Sequence, residues 1–189
     1  MKKVGFVGPE ESVILKAGLS LEYIKQFCKK LMLKELKKGD YIFVSGRCPK
    51  KGIDVMCEEI ADSLGIHKEI YPAEVNQWED EIFYKTESLE ERYKSKSGLG
   101  TMIRLKGYRS RNIQIAEACD ILYDIEYKGS CRHCGGRGLW LLDMKTLHEF
   151  GGADRICKFC KGTGNYSGGT WTINEAKRLG KEVYQIVIE

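Results

Sequence analysis

The stretch "YIFVSGRCPKKGIDVMCEEIADSLG", residues 41–65, decides the fold. Its first five residues are a continuous apolar run of the kind a strand buried on both faces requires. A loop of glycine, proline and lysines follows. Then Ile53, Met56, Cys57, Ile60, Ala61 and Leu64 recur at steps of three and four, up to Gly65. That spacing gathers the apolar side chains on one side of a helix, and a glycine just past the last of them ends it. Strand, loop and helix in this order, if repeated, make a parallel sheet with right-handed crossovers.

The unit recurs in both directions. Upstream, Lys3 to Val7 predicts a strand, "GPEES" a turn, and Ser20 an N-cap for a helix carrying Leu21, Ile24, Phe27, Cys28 and Leu31 that stops near Gly39. Downstream, "IHKEIY" (66–71) reads as a third strand. A helix from about Ser110 to Cys119 leads into "DILYDIEY" (120–127), a fourth, and "TINEAKRLG" (172–180) leads into "KEVYQIVIE" (181–189), a fifth. From Asn76 to Gly100 the apolar periodicity weakens and charges of both signs mix, which predicts a solvated helix or a mobile segment. The expected class is α/β: a Rossmann-like, mostly parallel sheet of about five strands with flanking helices.

One segment breaks this order. "CRHCGGRG" (131–138) returns as "CKFCKGTG" (157–164), both reading Cys-x-x-Cys-x-Gly-x-Gly. Removing residues 129–166 restores the alternation, so the chain divides into 1–128, an insertion at 129–166, and 167–189, which supplies the last helix and strand. Two residues between paired cysteines let a tight turn place both sulfurs on one metal, and a structural zinc ion takes four such ligands in a tetrahedron. Cys131, Cys134, Cys157 and Cys160 are the expected ligands of one structural Zn2+. Four thiolates leave no open coordination position, so this metal would not be catalytic. Eight cysteines in a chain with no secretory signature favour metal over disulfides. The start, "MKKVGFVGPEES", has its apolar run broken by Gly5, Gly8 and Pro9, and no apolar run approaches the ~20 residues that span a bilayer. A cytoplasmic protein without membrane contact is the expectation. A net charge of +4 singles out no partner.

In open parallel sheets, ligands bind at the carboxyl ends of the strands, where loops lead into helix N-termini. Three loops there are rich in small residues: "VGPEES" (7–12), "SGRCPKKG" (45–52) and "SGGTWT" (167–172). Gly8, Ser45, Gly46, Gly168, Gly169, Thr170 and Thr172 are therefore candidate ligand-binding residues. Neither a phosphate-loop pattern nor Gly-x-Gly-x-x-Gly is present.

"GGTWTINE" (168–175) resembles the Gly-Gly-x-Gly-Thr-x-x-Glu motif of the LOG phosphoribohydrolases, in the SLOG superfamily with DprA-like and YspA-like proteins. Gly168, Gly169, Thr172 and Glu175 match, while Trp171 stands at the third glycine. "RNIQIAEACD" (111–120) is similar to a family segment whose arginine falls on Arg111 and whose lysine falls on Asn112. The 44–66 stretch resembles the YspA-like strand, glycine loop and Gly-x-Asp, here Gly52 and Asp54. The cysteine repeat resembles DnaJ-type zinc domains, with two copies in place of four. The SLOG resemblance implies a Rossmann-like domain binding a nucleotide or nucleotide-derived molecule, and in its enzymes Arg111 and Glu175 would act on an N-glycosidic bond. Cleaving that bond builds positive charge on ribose, which a carboxylate stabilises. Trp171 could instead stack on a base.

Three readings follow. The first is a binding module for a nucleotide-derived small molecule, with the zinc knuckle over the pocket mouth. The second is a phosphoribohydrolase acting on a nucleoside monophosphate. The third, less favoured, is a nucleic-acid or protein adaptor using the basic residues of the knuckle. A homo-oligomer is compatible with each.

Overall fold

The computed structural model describes residues 1–85, 101–127, 129, 139–140, 155–156 and 168–188. Five parallel strands form one sheet: β1 (Lys2–Val7), β2 (Tyr41–Ser45), β3 (Lys68–Ile70), β6 (Ile121–Tyr127) and β9 (Glu182–Ile188), in the spatial order β3-β2-β1-β6-β9. The helices are α1 (Glu11–Lys16), α2 (Leu21–Leu36), α3 (Ile53–Ser63), α4 (Tyr108–Ala118) and α5 (Gly168–Arg178). The fold is α/β and consistent with a Rossmann-like class.

Strand alternation sorts the core into two layers. In β1, Val4 and Phe6 pack with Ile24, Cys28 and Met32 of α2 and with Ile53, Cys57 and Ile60 of α3. Val7, on the opposite face, packs with Ile115 of α4 and with Ile173 and Ala176 of α5. Helices therefore cover both faces, which is why β2 reads as a continuous apolar run. Phe6 is fully enclosed, and its ring stacks on Tyr123 with centroids 4.8 Å apart. Helix α2 starts where a cap was expected, the Ser20 hydroxyl accepting a hydrogen bond from the Tyr23 N–H at 3.3 Å. Gly65, just beyond α3, takes φ +69°, the left-handed geometry that suits a helix stop.

Three local expectations need correction. The turn after β1 contains a short helix, α1, because Ile14 finds a buried site in the core. In the segment Asn76 to Gly100, read as a solvated helix or mobile stretch, β4 (Glu81–Lys85) is a strand that pairs antiparallel with β5 (Thr101–Leu105) just beyond the segment, Glu81 opposite Leu105 and Lys85 opposite Thr101, while residues 86–100 lie outside the described residues. Helix α4 begins at Tyr108, ahead of Ser110, because Asp80 binds its first turn: its carboxylate accepts from Gly107 N–H at 2.9 Å and from the Ser110 hydroxyl at 2.8 Å.

Both attachment points of the cysteine-bearing insertion lie at the carboxyl edge of the main sheet, since β6 ends at Tyr127 and α5 starts at Gly168. Cys131, Cys134, Cys157 and Cys160 lie outside the described residues. Within the insertion, β7 (Leu139–Trp140) pairs antiparallel with β8 (Arg155–Ile156), Leu139 opposite Ile156. Among the described residues, no helix is long and apolar enough to cross a membrane.

Candidate functional site at the carboxyl ends of the strands

The chain lays β1, β2 and β3 outward in one direction, then returns to place β6 on the other side of β1. The strand order reverses between β1 and β6, where Val7 lies opposite Asp124. Such a reversal opens a crevice at the carboxyl ends, the usual ligand position in this architecture. Helices α4 and α5 both precede strands of the parallel sheet, so their first turns stand at this same edge.

Arg111, in the first turn of α4, is 8% exposed. A Cβ on Gly46 would run into the Arg111 guanidinium and come within 2.8 Å of Ile115 Cδ1. The absence of a side chain at the end of β2 thus lets Arg111 cross the sheet edge towards α3. On that side its Nη1 lies 3.6 Å from Asp54 Oδ2, an ion pair longer than a hydrogen bond. The same Asp54 oxygen already accepts from Cys48 N–H at 2.8 Å. Burial raises the Asp54 carboxyl above its ordinary value, and the Cys48 N–H and Arg111 oppose that rise. The Arg111 Cζ sits 5.3 Å from the centroid of the Tyr108 ring. Its enclosed Nε has no hydrogen-bond partner among the described residues. A buried polar group left without a partner costs about 1–3 kcal/mol, more when charged.

The second feature is the contact between α5 and the sheet. A Cβ on Gly169 would fall 2.9 Å from Gly8 N and into the Asp124 carboxylate, and one on Gly8 would strike the Ile125 carbonyl and lie 2.6 Å from Ile53 Cγ1. The two glycines let the first turn of α5 rest directly on the ends of β1 and β6. Gly168 to Thr172, read as a loop leading into the last helix, are the first residues of that helix. Two acids face this turn from β6. Glu126 accepts from the Thr170 hydroxyl. Asp124 is fully buried, and neither of its oxygens has a hydrogen-bond partner among the described residues. Burial pushes the Asp124 carboxyl well above the usual carboxylate range, Glu126 adds to the rise, and Gln185 and Lys177 pull the other way. Thr172 is also buried.

The remaining candidates are engaged elsewhere. The Ser45 hydroxyl donates to Glu58 at 2.6 Å and accepts from Arg47 N–H at 3.1 Å. Glu175 accepts from Arg178 Nη2 at 2.6 Å and from Arg178 Nε at 3.1 Å, and this pairing holds its carboxyl below the ordinary value. Arg111 and Glu175 thus have different ionic partners, one on α3 and the other on α5 itself. Asn112 is buried beside Arg111 in α4. The first turn of α4 is occupied by protein, since beyond the Asp80 contacts Gln77 and Trp78 carbonyls accept from Tyr108 and Arg109 N–H. Asp80 is held down to about 2, first by the Ser110 hydroxyl and then by Gly107 N–H. Burial raises the Cys48 thiol, which disfavours the nucleophilic thiolate. No group of three or more metal-ligating side chains occurs among the described residues.

Two features of the site went unremarked in the sequence. Asp124 and Glu126 break the apolar run of "DILYDIEY" at alternate positions, and acids repeated on one face of a buried strand are a readable signal. The Arg111–Asp54 pairing joins residues far apart in the chain, and no local pattern announces it. No family model, curated protein or solved structure matches the chain.

The buried acid yields a pH prediction. A carboxyl with a raised folded value keeps a proton that the unfolded chain releases, so its cost is absent below the ordinary value of 3.8 and grows as pH climbs towards the raised one. Asp124→Asn removes that dependence. The stability difference between the variant and the parent, from urea unfolding, should rise between pH 4 and pH 8 to about 1–3 kcal/mol in favour of the variant. A difference that is flat with pH would show that Asp124 ionises at no cost in the folded chain.

Proposed function

We propose that the chain binds a nucleotide-derived small molecule at the carboxyl ends of β1, β2 and β6, with the anionic group of the ligand on Arg111. The observation that carries this reading is the buried guanidinium laid over Gly46, whose Nε has no hydrogen-bond partner among the described residues and whose Nη1 comes only to 3.6 Å from Asp54. Arginine presents its donors as a planar fork matched to phosphate and carboxylate, and an incoming anion would meet it at the tenth of the side chain that stays exposed. The resemblance to SLOG proteins points to the same arginine and the same class of ligand. The phosphoribohydrolase reading has no observation in its favour, because Glu175 is bound to Arg178. Asp124 and Glu126 already occupy the start of α5, which favours Arg111 over Gly168 to Thr172 as the seat of the anion.

The insertion enters the proposal as a zinc knuckle on the rim of this crevice, with Cys131, Cys134, Cys157 and Cys160 as ligands. The β7–β8 pairing supports it, because the paired residues lie between the two cysteine pairs and Ile156 directly precedes Cys157. Zinc held by thiolates suits a reducing compartment, so the reading places the chain in the cytoplasm.

Calorimetric titration with the four 5′-nucleoside monophosphates tests the binding site. Arg111→Ala should weaken the binding seen with the parent by tenfold or more, and Arg111→Lys should recover only part of it. Equal affinity of the parent and the alanine variant, or no binding by the parent, would refute the proposal. Elemental analysis of the purified chain should find one zinc per molecule, falling below one in Cys157→Ser. A metal-free protein that keeps its fold would refute the knuckle.

A further inference from the structure

Trp78 and Trp171 meet at the same edge of the sheet. Trp171 belongs to the first turn of α5, and Trp78 precedes β4. Their ring centroids are 5.3 Å apart and the ring planes stand at 87°. Neither residue joins either core cluster, and Trp78 is 41% exposed. An indole normally gains by burial at roughly 25 cal/mol per Å² of apolar surface, and here a large part of that gain is left unrealised.

The backbone that carries the exposed ring is nevertheless held in place. The Trp78 carbonyl accepts from Arg109 N–H at 2.9 Å, and the neighbouring Gln77 carbonyl accepts from Tyr108 N–H at 2.8 Å. Asp80, two residues on, is bound to Gly107, Ser110 and Arg104. The backbone of Trp78 is thus fastened to the first turn of the helix that carries Arg111. Arg111 follows Arg109 by two residues, roughly 3 Å along the axis and about 200° around it, so Trp78 and Arg111 share the start of α4. An aromatic pair anchored at the same helix start as a buried guanidinium fits a ligand with a flat ring at one end and an anion at the other, since fixed aromatic rings lose little freedom on stacking.

We infer that Trp78 and Trp171 form the stacking platform for the heterocyclic base of the ligand whose anionic group Arg111 holds. This rests on the binding reading above and adds to it the part of the site that recognises the base. Exposed aromatic rings also pin loops to helices without any ligand, and the test separates the two roles.

The probes are the four 5′-nucleoside monophosphates and ribose 5-phosphate, which has the same sugar phosphate but no base. They are titrated against the full chain, Trp78→Ala and Trp78→Phe, with circular dichroism as the check on folding. The parent should bind at least one nucleotide roughly five- to a hundredfold more tightly than ribose 5-phosphate, the range expected for stacking one base. Trp78→Ala should bring that nucleotide to the level of ribose 5-phosphate and leave the affinity for ribose 5-phosphate unchanged. Trp78→Phe should keep most of the preference. The platform is overturned if Trp78→Ala retains the full preference, or if the parent binds both probe classes equally, and either result leaves the anion site at Arg111 standing. Loss of ribose 5-phosphate binding in Trp78→Ala along with the nucleotide would overturn it too, since Trp78 would then serve only to hold the rim. Absence of binding of every probe to the parent overturns the platform together with the reading on which it rests.

Discussion

A guanidinium can cross the end of a β-strand only if that strand ends in a residue without a side chain. Gly46 meets this condition, and Arg111 uses the opening to reach from the α4 layer to Asp54 on the α3 side. The two helical layers are thereby tied across the sheet edge by a charge pair that neither saturates nor expels the arginine. Among the described residues its enclosed Nε finds no acceptor, at the edge where ligands of this architecture are expected.

A second close approach shapes the same rim. Gly8 and Gly169 let α5 settle onto the ends of β1 and β6, over a buried Asp124 that has no hydrogen-bond partner among the described residues and a Glu126 bonded to Thr170. The side chains of Asp124 and Glu126 occupy the start of α5 before any ligand arrives, and burial holds the Asp124 carboxyl well above the usual carboxylate range. The rim is therefore uneven, filled by carboxyl side chains under α5 and by a guanidinium at Arg111. Asp80 seals α4 in a comparable way and, in doing so, fixes the segment that carries Trp78. An asymmetric rim of this kind orients a ligand with an anionic end and an uncharged aromatic end.

β2 was legible because burial on both faces leaves the run "YIFVS" apolar, and α3 because Ile53, Cys57 and Ile60 keep helical spacing; the edge strands β3 and β9 are only partly buried. The β4–β5 pairing was hidden by the charged sequence between the two strands, and α1 by the turn-forming residues at its start. In the site, the sequence pointed to Gly8, Gly46 and Gly169 as small residues on loops. It could not tell whether the space they leave admits a ligand or a neighbouring group; at Gly46 the occupant is Arg111 and at Gly169 it is the Asp124 carboxyl, with the Gly8 backbone next to it. Asp54 looked like an ordinary acid at a helix start, and only the folded chain brings it to Arg111. Side-chain pairings across the sheet edge depend on topology, which local patterns do not encode.

The central claim is that Arg111 holds a donor waiting for an anion, and the nitrogen itself can be observed. In a 15N–1H spectrum of the arginine side chains, the Arg111 Nε–H signal, assigned by its loss in Arg111→Lys, should shift and exchange more slowly with water as 5′-AMP is added, saturating with the measured affinity. Binding of 5′-AMP that leaves this signal unmoved would contradict the account.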